Sequence, residues 1–356
     1  GVSFLLSSYI TRIGYKNAML IALGLVTAAC FAMPSLNGFW ATKLLFAAIG
    51  SSFALIKMSV YSTIGLVTKD EKEHISLMNF IESFFMVGIL TGYFIFSAFV
   101  DDANPQSTEW LKVYYLLGAI SLAAFLLLLT AKLDESEAKG QETASLVQDF
   151  GKMFQLVAVP LVLVFVLCAF FYVLVEQSIM SWLPTFNSKV LQLPTALSIE
   201  MASILAGATA LGRFLAGIVM KKLNWYVVLT GCLLLAGVLV LTAIPLAKGA
   251  EGRTVTGWGD APLAAFVFPL IGLFLAPVYP AINSLILSSL PKSKHGLMSG
   301  LIIIFSALGG TTGSIITGNI FQHFDGQTAF YFSLVPIGIL LVGLFFFKKL
   351  QAKTQA

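Results

Sequence analysis

The chain has 356 residues, of which 58% are hydrophobic and 11% are charged. Its mean hydropathy is +0.91, whereas a soluble globular domain carries about 25% charged residues. This composition excludes an ordinary soluble domain and predicts an all-α protein that crosses a membrane many times. The net charge is +4, and the basic residues flank apolar stretches instead of forming a separate run. No nucleic-acid partner is therefore expected.

Ten apolar stretches follow one another along the chain, most of them longer than the roughly 20 residues that cross a bilayer. With charged residues as boundaries, the predicted spans are 17–36, 40–67, 75–100, 111–131, 155–186, 196–220, 225–247, 261–290, 297–320 and 329–347. Residues 1–11 resemble the second half of one further helix, and the chain opens on Gly1. We therefore expect a twelve-helix protein, with helix 1 and part of helix 2 missing from this chain.

Lysine and arginine are distributed unevenly between the two sides of these spans. Fourteen of the 21 lie on one side, namely Arg12, Lys16, Lys69, Lys72, Lys132, Lys139, Lys152, Lys221, Lys222, Lys292, Lys294, Lys348, Lys349 and Lys353. Cytoplasmic loops are the ones that carry such an excess. The bias predicts an inner-membrane protein whose C-terminus lies in the cytoplasm.

The longest polar segment between spans, residues 132–152, predicts a cytoplasmic linker between two halves. Residues 1–131 would be an incomplete N-terminal half and residues 153–356 a C-terminal six-helix half. Weak internal echoes support a duplication. His74 and Met78 recur as His295 and Met298 about 220 residues later, and residues 7–16 resemble 217–225 at a similar offset. We expect both histidines to be solvated residues at helix ends.

Few charged residues lie deep within the spans: Lys57, Glu82, Glu176 and Arg213. Each needs a partner, a water-filled cavity or a function, because a charge at mid-bilayer costs at least ~2.5–3.5 kcal/mol on insertion scales. Lys57 and Glu82 have similar depths in neighbouring spans. Either they form an ion pair, or Lys57 faces a cavity as an anion-binding or titrating group. Arg213 either reaches the membrane surface or braces a gate.

Glu176 and Gln177 form the strongest candidate site. They lie in an aromatic segment that includes Tyr172 and Trp182. Aromatic rings can stack on the apolar faces of a sugar, while a carboxylate and an amide accept hydrogen bonds from its hydroxyl groups. The pattern therefore favours a polyol site, and an aromatic belt at the membrane interface is the alternative.

Prolines and glycines mark further positions of interest. Pro277, Tyr279, Pro280 and Asn283 lie within seven residues, which predicts a kinked helix that either binds solute or is purely structural. Glycines spaced four residues apart predict close helix packing. They are Gly88 and Gly92, Gly296 and Gly300, and Gly309 and Gly313.

Residues 7–16 resemble the Gly-x-x-x-Asp-Arg-x-Gly-Arg-Arg signature of the major facilitator superfamily, in which Arg12, Gly14 and Lys16 keep the pattern. Within that superfamily the chain is similar to the fucose/glucose–galactose:proton symporter group. The similarity is carried by residues 170–182, 212–214 and 79–92. The group tends to have an acidic residue and an Asn-Pro pair in helix 4, where this chain has Lys57.

The resemblance implies a major facilitator fold of two six-helix halves, in which helices 1, 4, 7 and 10 line a central cavity. Lys57 and Glu176 would then face the substrate path, while Arg12, Gly14 and Arg213 would have gating or structural roles. It further implies a monomeric secondary transporter that works by alternating access and imports a sugar or similar small polar solute with protons.

The alternatives are a proton-driven exporter of amphipathic compounds and a non-transporting sensor on the same fold. The sequence contains no ATP-binding loop, catalytic triad or clustered metal ligands. We therefore expect neither an enzyme nor a bound cofactor or metal.

Overall fold

The computed structural model of the protein describes residues 10, 13–36, 38–97, 99, 107–135, 146–249, 255–291 and 294–355. Within these ranges the chain forms α-helices and short 3₁₀ turns, and no strand. The described α-helices are α1 Tyr15–Ala32, α2 Phe39–Val67, α3 Glu71–Ser97, α4 Val113–Thr130, α5 Leu146–Val157, α6 Pro160–Lys189, α7 Thr195–Val219, α8 Trp225–Ala243, α9 Leu263–Val267, α10 Ile271–Leu275, α11 Val278–Ser288, α12 His295–His323, α13 Gly326–Tyr331 and α14 Leu334–Gln355.

Ten of the helical segments in the described ranges are long and apolar enough to cross a membrane. Each overlaps one of the ten predicted spans, so the prediction of an all-α multi-pass membrane protein is confirmed. Apolar runs of this length become helices because every backbone N–H and C=O is then satisfied within the segment, where no water is present to replace it.

Prolines set several helix boundaries that hydropathy alone does not give. Pro160 occupies the first turn of α6, and Val159 before it is extended. The run predicted as one span from residue 155 is therefore divided between α5 and α6, because a residue that precedes proline avoids the helical region. The predicted kink near Pro277 is also present. The span Leu263–Ser288 is broken into α9, a 3₁₀ turn, α10 and α11.

The chain divides into two compact units. The first contains residues 1–68, 91–156 and 290–304. In it α1 packs against α2 and α4, around a core that includes Tyr15, Ala22, Leu55 and Met58. Small residues on α1 permit the close approach: Ala18 and Ala22 are fully buried. The halves predicted from the sequence, 1–131 and 153–356, remain a prediction.

The second unit contains residues 69–90, 157–289 and 305–356. Here α6 packs against α7, α11 and α14. Glycines bring α12 close to α6, because a Cβ at Gly309 or Gly313 would collide with the carbonyl oxygens of Phe170 or Leu174. The predicted close packing at this pair is therefore present. At Gly88 and Gly92 it is absent, since a Cβ there would meet no described atom within 4 Å.

The expectation of solvated histidines is wrong. His74 and His295 each begin or nearly begin a helix, but both are only 3% exposed. His74 Nδ1 lies 2.7 Å from Ser284 Oγ within the second unit. His295 Nε2 lies 3.1 Å from the Leu290 carbonyl within the first, and its ring fills the space beside Gly65. Tertiary packing has covered helix ends that a hydropathy profile leaves at the surface.

Candidate functional site

The candidate site lies in the second unit, where α3, α6 and α7 each supply a charged side chain. Tyr172 and Glu176 are four residues apart on α6, so they project from the same face of that helix. Tyr172 Oη donates a hydrogen bond of 2.9 Å to Glu176 Oε1. This bond between a phenol and a carboxylate therefore forms within a single helix.

Arg213 of α7 joins this carboxylate to a second one on α3. Its Nη2 donates to Glu176 Oε1 over 2.8 Å, and its Nη1 donates to Glu82 Oε2 over 3.0 Å. Nη1 also lies 3.3 Å from the Glu82 carbonyl oxygen. Glu82, Arg213, Glu176 and Tyr172 are called the ion cluster below.

The members of the ion cluster differ in exposure. The side chains of Arg213 and Glu82 are 3% and 4% exposed, whereas that of Glu176 is 17% exposed. Tyr172 is fully buried. Both of these hydrogen bonds to Glu176 end on Oε1. Glu176 is the most exposed member of the cluster.

This geometry bears on the sequence expectations for Glu82 and Arg213. The sequence offered Lys57 as one possible partner of Glu82, which stays a prediction, and the structure gives Glu82 an ion pair with Arg213. The sequence also offered Arg213 a position reaching towards the membrane surface, and the structure buries it between two carboxylates. The depth of a residue within its span does not predict these ion pairs. Helix packing decides which faces of α3, α6 and α7 meet.

Tyr279 of α11 extends the ion cluster. Its ring stacks on that of Tyr172, with centroids 5.4 Å apart and an angle of 20° between the planes. Its Oη lies 2.9 Å from Ser306 Oγ. The sequence named Tyr279 as a binding residue without a reason to place it beside Tyr172, and the break before α11 brings the two rings together.

A small cavity opens beside Glu176. It has room for about one water molecule, about 10 Å³, and Tyr172, Glu176 and Thr209 supply its polar lining. The rest is apolar, including Leu205 and Leu275. A cavity with so few oxygen atoms suits a water molecule or a proton exchange better than a hydrated cation.

The other predicted residues of α6 and α11 are engaged in helix packing. Gln177 is partly buried against α12, with Cγ 3.1 Å from where a Cβ of Gly310 would lie. Trp182 donates a hydrogen bond of 3.0 Å to the Ser314 carbonyl and stacks on Phe321. Asn283 is completely buried, and no hydrogen-bond partner for its amide is found in the described ranges.

Lys57 belongs to the first unit. Its Nζ lies 5.5 Å and 5.4 Å from the ring centroids of Phe53 and Tyr61. These are the next turns of the same helix, α2. Cation–π contacts of this kind stabilise an ammonium group in apolar surroundings. A role for Lys57 in a substrate path stays a prediction.

The signature segment is described from Ile13 onward, so Arg12 lies outside the described residues. Gly14 has φ of +88°, a conformation that favours glycine. It precedes α1, whose first N–H groups, at Tyr15 and Lys16, donate to the Glu135 carboxylate over 3.0 Å and 2.7 Å. Sequence reasoning missed Glu135, which lies in the segment predicted as a linker.

In the described part of the chain no group of three or more His, Cys, Asp or Glu side chains could hold a metal ion. The groups of the ion cluster have chemistry of their own. A carboxylate can bind and release a proton, a guanidinium can stabilise whichever carboxylate is charged, and two tyrosine rings cover the pair.

A comparison of the sequence with family models identifies its family. The model of the Major Facilitator Superfamily matches residues 1–259 and 254–355. The chain belongs to the major facilitator superfamily of membrane transporters. A search of curated protein sequences finds no match.

Solved structures with the same fold include sugar transporters. The Escherichia coli fucose:proton symporter has a TM-score of 0.76 at 14% identity, with 97% of this chain and 87% of that chain covered. The proton:xylose symporter bound to 6-bromo-6-deoxy-D-glucose has a TM-score of 0.72 at 12% identity, with 98% and 82% covered. A human organic anion transporter has a TM-score of 0.69 at 16% identity, with 97% and 80% covered. At these identities the likeness shows the fold.

Proposed function

We propose that this protein is a secondary active transporter that moves a small polar solute, of the sugar class, together with protons by alternating access. It would act in the inner membrane with its C-terminus in the cytoplasm. The observation that carries the proposal is the buried ion cluster, in which Arg213 is shared between Glu82 and Glu176. Charges are expensive in such surroundings and mark ion pathways or proton relays in membrane proteins.

The proton is assigned to Glu176. Its side chain is the most exposed carboxylate of the cluster, and the cavity beside it holds about one water molecule's volume, about 10 Å³. Arg213 Nη2 donates a hydrogen bond to Glu176 Oε1 over 2.8 Å. When Glu176 is protonated, the guanidinium still has Glu82, so neither state leaves a buried charge alone. This is the property that a reversible proton carrier needs.

The solute is assigned to the accessible polar edge of the same cluster. Glu176 is the most exposed carboxylate of the cluster and can accept hydrogen bonds from hydroxyl groups of a solute, whereas Gln177, the next residue on α6, packs against α12. The rings of Tyr172 and Tyr279 stack on each other, and Tyr172 donates a hydrogen bond to Glu176, so the stacked pair holds this carboxylate in place. A transported sugar is also what two of the fold neighbours carry.

The proposal is tested with purified protein in liposomes and a pH dye on the outside. Sugars, sugar acids and lipophilic cations are added in turn, and the rise in external pH is followed. We expect one sugar to cause alkalinisation in the wild type and none in Glu176→Gln. Glu109→Gln is the matched control, because that carboxylate is exposed and pairs with Lys112 outside the cluster.

Two results would reject the sugar assignment. A response to sugar acids but not to neutral sugars would favour an organic anion as the solute. Silence with every sugar, together with proton flux driven by lipophilic cations, would favour an exporter of amphipathic compounds.

A further inference from the structure

The first half of α3 is attached to α7 by two serine hydrogen bonds with the same spacing. Ser76 Oγ donates to the Gly217 carbonyl and Ser83 Oγ donates to the Ala210 carbonyl, each over 2.8 Å. The donors are seven residues apart on α3, and the acceptors are seven apart on α7 in the reverse direction. This stretch of the two helices therefore lies antiparallel in close contact for two turns.

Side-chain packing reinforces the contact between these bonds. The ring of Phe80 lies 3.2 Å from where a Cβ of Gly217 would be, and its centroid is 5.3 Å from that of Phe214. A residue larger than glycine at position 217 would crowd the Phe80 ring. The chain leaves the second unit within α3, between Leu90 and Thr91. The attachment holds the part of α3 that belongs to that unit.

The ion pair between Arg213 and Glu82 differs from the serine bonds, because Arg213 is also paired with Glu176. Nη1 of Arg213 serves Glu82 on α3, while Nη2 serves Glu176 on α6. The third nitrogen, Nε, is buried without a partner in the described part of the chain. The guanidinium is therefore divided between two carboxylates and is not bidentate to either one.

We propose that Glu82 is a positioning residue whose hold on α7 is set by the protonation of Glu176. When a proton from water adds to Oε2 of Glu176, that carboxylate becomes neutral and the charge of Arg213 is left to Glu82. The attachment of α3 tightens. When Glu176 releases the proton, it competes again for the same guanidinium, and the attachment loosens.

The surroundings of Glu176 support this direction. Among the described residues, the titratable or charged groups in contact with it are Arg213 from α7, Tyr172 from α6 itself and, through Arg213, Glu82 from α3. Tyr279 of α11 stacks on Tyr172. From α10 the cavity receives Gly272 and Leu275, which do not titrate. In a buried site of low dielectric, a change of charge at one partner is felt strongly by the other.

The inference rests on the proposed function for the identity of the proton carrier, but its test needs no solute. Hydrogen exchange of peptides covering residues 76–90 is measured at one pH on the full-length protein in lipid nanodiscs. Glu176→Gln imitates the protonated state and is expected to slow exchange there about tenfold, while Glu82→Gln is expected to quicken it by a similar factor. Glu176→Asp keeps the charge and should exchange like the wild type.

Further variants separate charge from packing. Ser83→Ala removes one serine bond, so it should quicken exchange, yet adding Glu176→Gln to it should still slow exchange. In the double variant Glu82→Gln/Glu176→Gln the slowing should vanish. Equal slowing by Glu176→Asp, or slowing by Glu176→Gln that persists without Glu82, would overturn the proposal. A protein that exchanges as expected but transports nothing would reject the proposed function and leave this attachment standing.

Discussion

At the scale of single residues, Arg213 is the group on which the ion cluster depends. It makes ion pairs of 3.0 Å and 2.8 Å with two carboxylates from different helices, and it is 2% exposed. Such a group gives weak net stability while intact, because desolvation offsets much of the attraction, but its loss leaves uncompensated buried charges.

Replacing Arg213 by glutamine is therefore expected to destabilise the protein by about 3–5 kcal/mol, because Glu82 and Glu176 are left without their shared cation. The measurement is thermal unfolding of the purified variant in detergent. The triple variant Glu82→Gln/Arg213→Gln/Glu176→Gln removes all three charges and should recover much of the loss. A triple variant as unstable as the single one would show that shape, and not charge, is what Arg213 supplies.

Asp325 is a second residue whose charge has a structural consequence, outside the membrane spans. It is the N-cap of α13, accepting from the backbone N–H of Thr328 over 2.6 Å and from its Oγ1 over 2.8 Å. These bonds, the backbone one first, lower the pKa of the Asp325 carboxyl below its ordinary value of 3.8.

Because this pKa is lower in the folded state, the stabilisation is present above the ordinary value and is lost as the pH falls through the lowered one. The difference in unfolding temperature between wild type and Asp325→Asn should accordingly shrink or change sign at acid pH, since asparagine caps without titrating. A difference that stays constant from neutral to acid pH would contradict a charged cap.

At the scale of elements, the packing of α12 on α6 depends on backbone approach. Gly309 and Gly313 face carbonyl oxygens of α6, and Gly318 faces the ring of Trp182. Helices in a membrane associate through close van der Waals packing at small residues, since lipid supplies no hydrophobic drive between them.

Gly313→Ala is expected to cost about 1–3 kcal/mol, because its methyl group can be admitted only if the helices separate. Gly338→Ala is the matched control in α14, where a Cβ would meet no described atom within 4 Å. This substitution should stabilise the helix by up to ~1 kcal/mol, because alanine favours the helix more than glycine does. Unfolding temperatures of the two variants should move in opposite directions. A loss of equal size in both would show that the α6–α12 contact is not the cause.

At the scale of the whole molecule, hydropathy predicted the membrane spans, whereas helix packing determined which side chains pair. The ten spans followed from apolar length, because the bilayer imposes that length on any helix that crosses it. The kink near Pro277 followed from local chemistry. The ion-pair partners could not be predicted from the sequence. Arg213, Glu82 and Glu176 lie on three different helices, and packing sets how each helix is rotated about its axis. The depth and charge of the residues do not contain that information.

The same reason explains the misplaced histidines. His74 and His295 were assigned to solvated helix ends by their positions next to polar loops, yet each is covered by another helix within its unit. The duplication suggested by their recurrence about 220 residues apart stays a prediction.

The most direct test of the central claim, that Glu176 couples protons to solute movement, compares two modes of transport in liposomes. Glu176→Gln cannot release a proton, so uphill accumulation of the solute driven by a pH gradient should be lost. Exchange of labelled for unlabelled solute at equal concentrations needs no proton release and should persist. Accumulation at the wild-type level in Glu176→Gln would contradict the account.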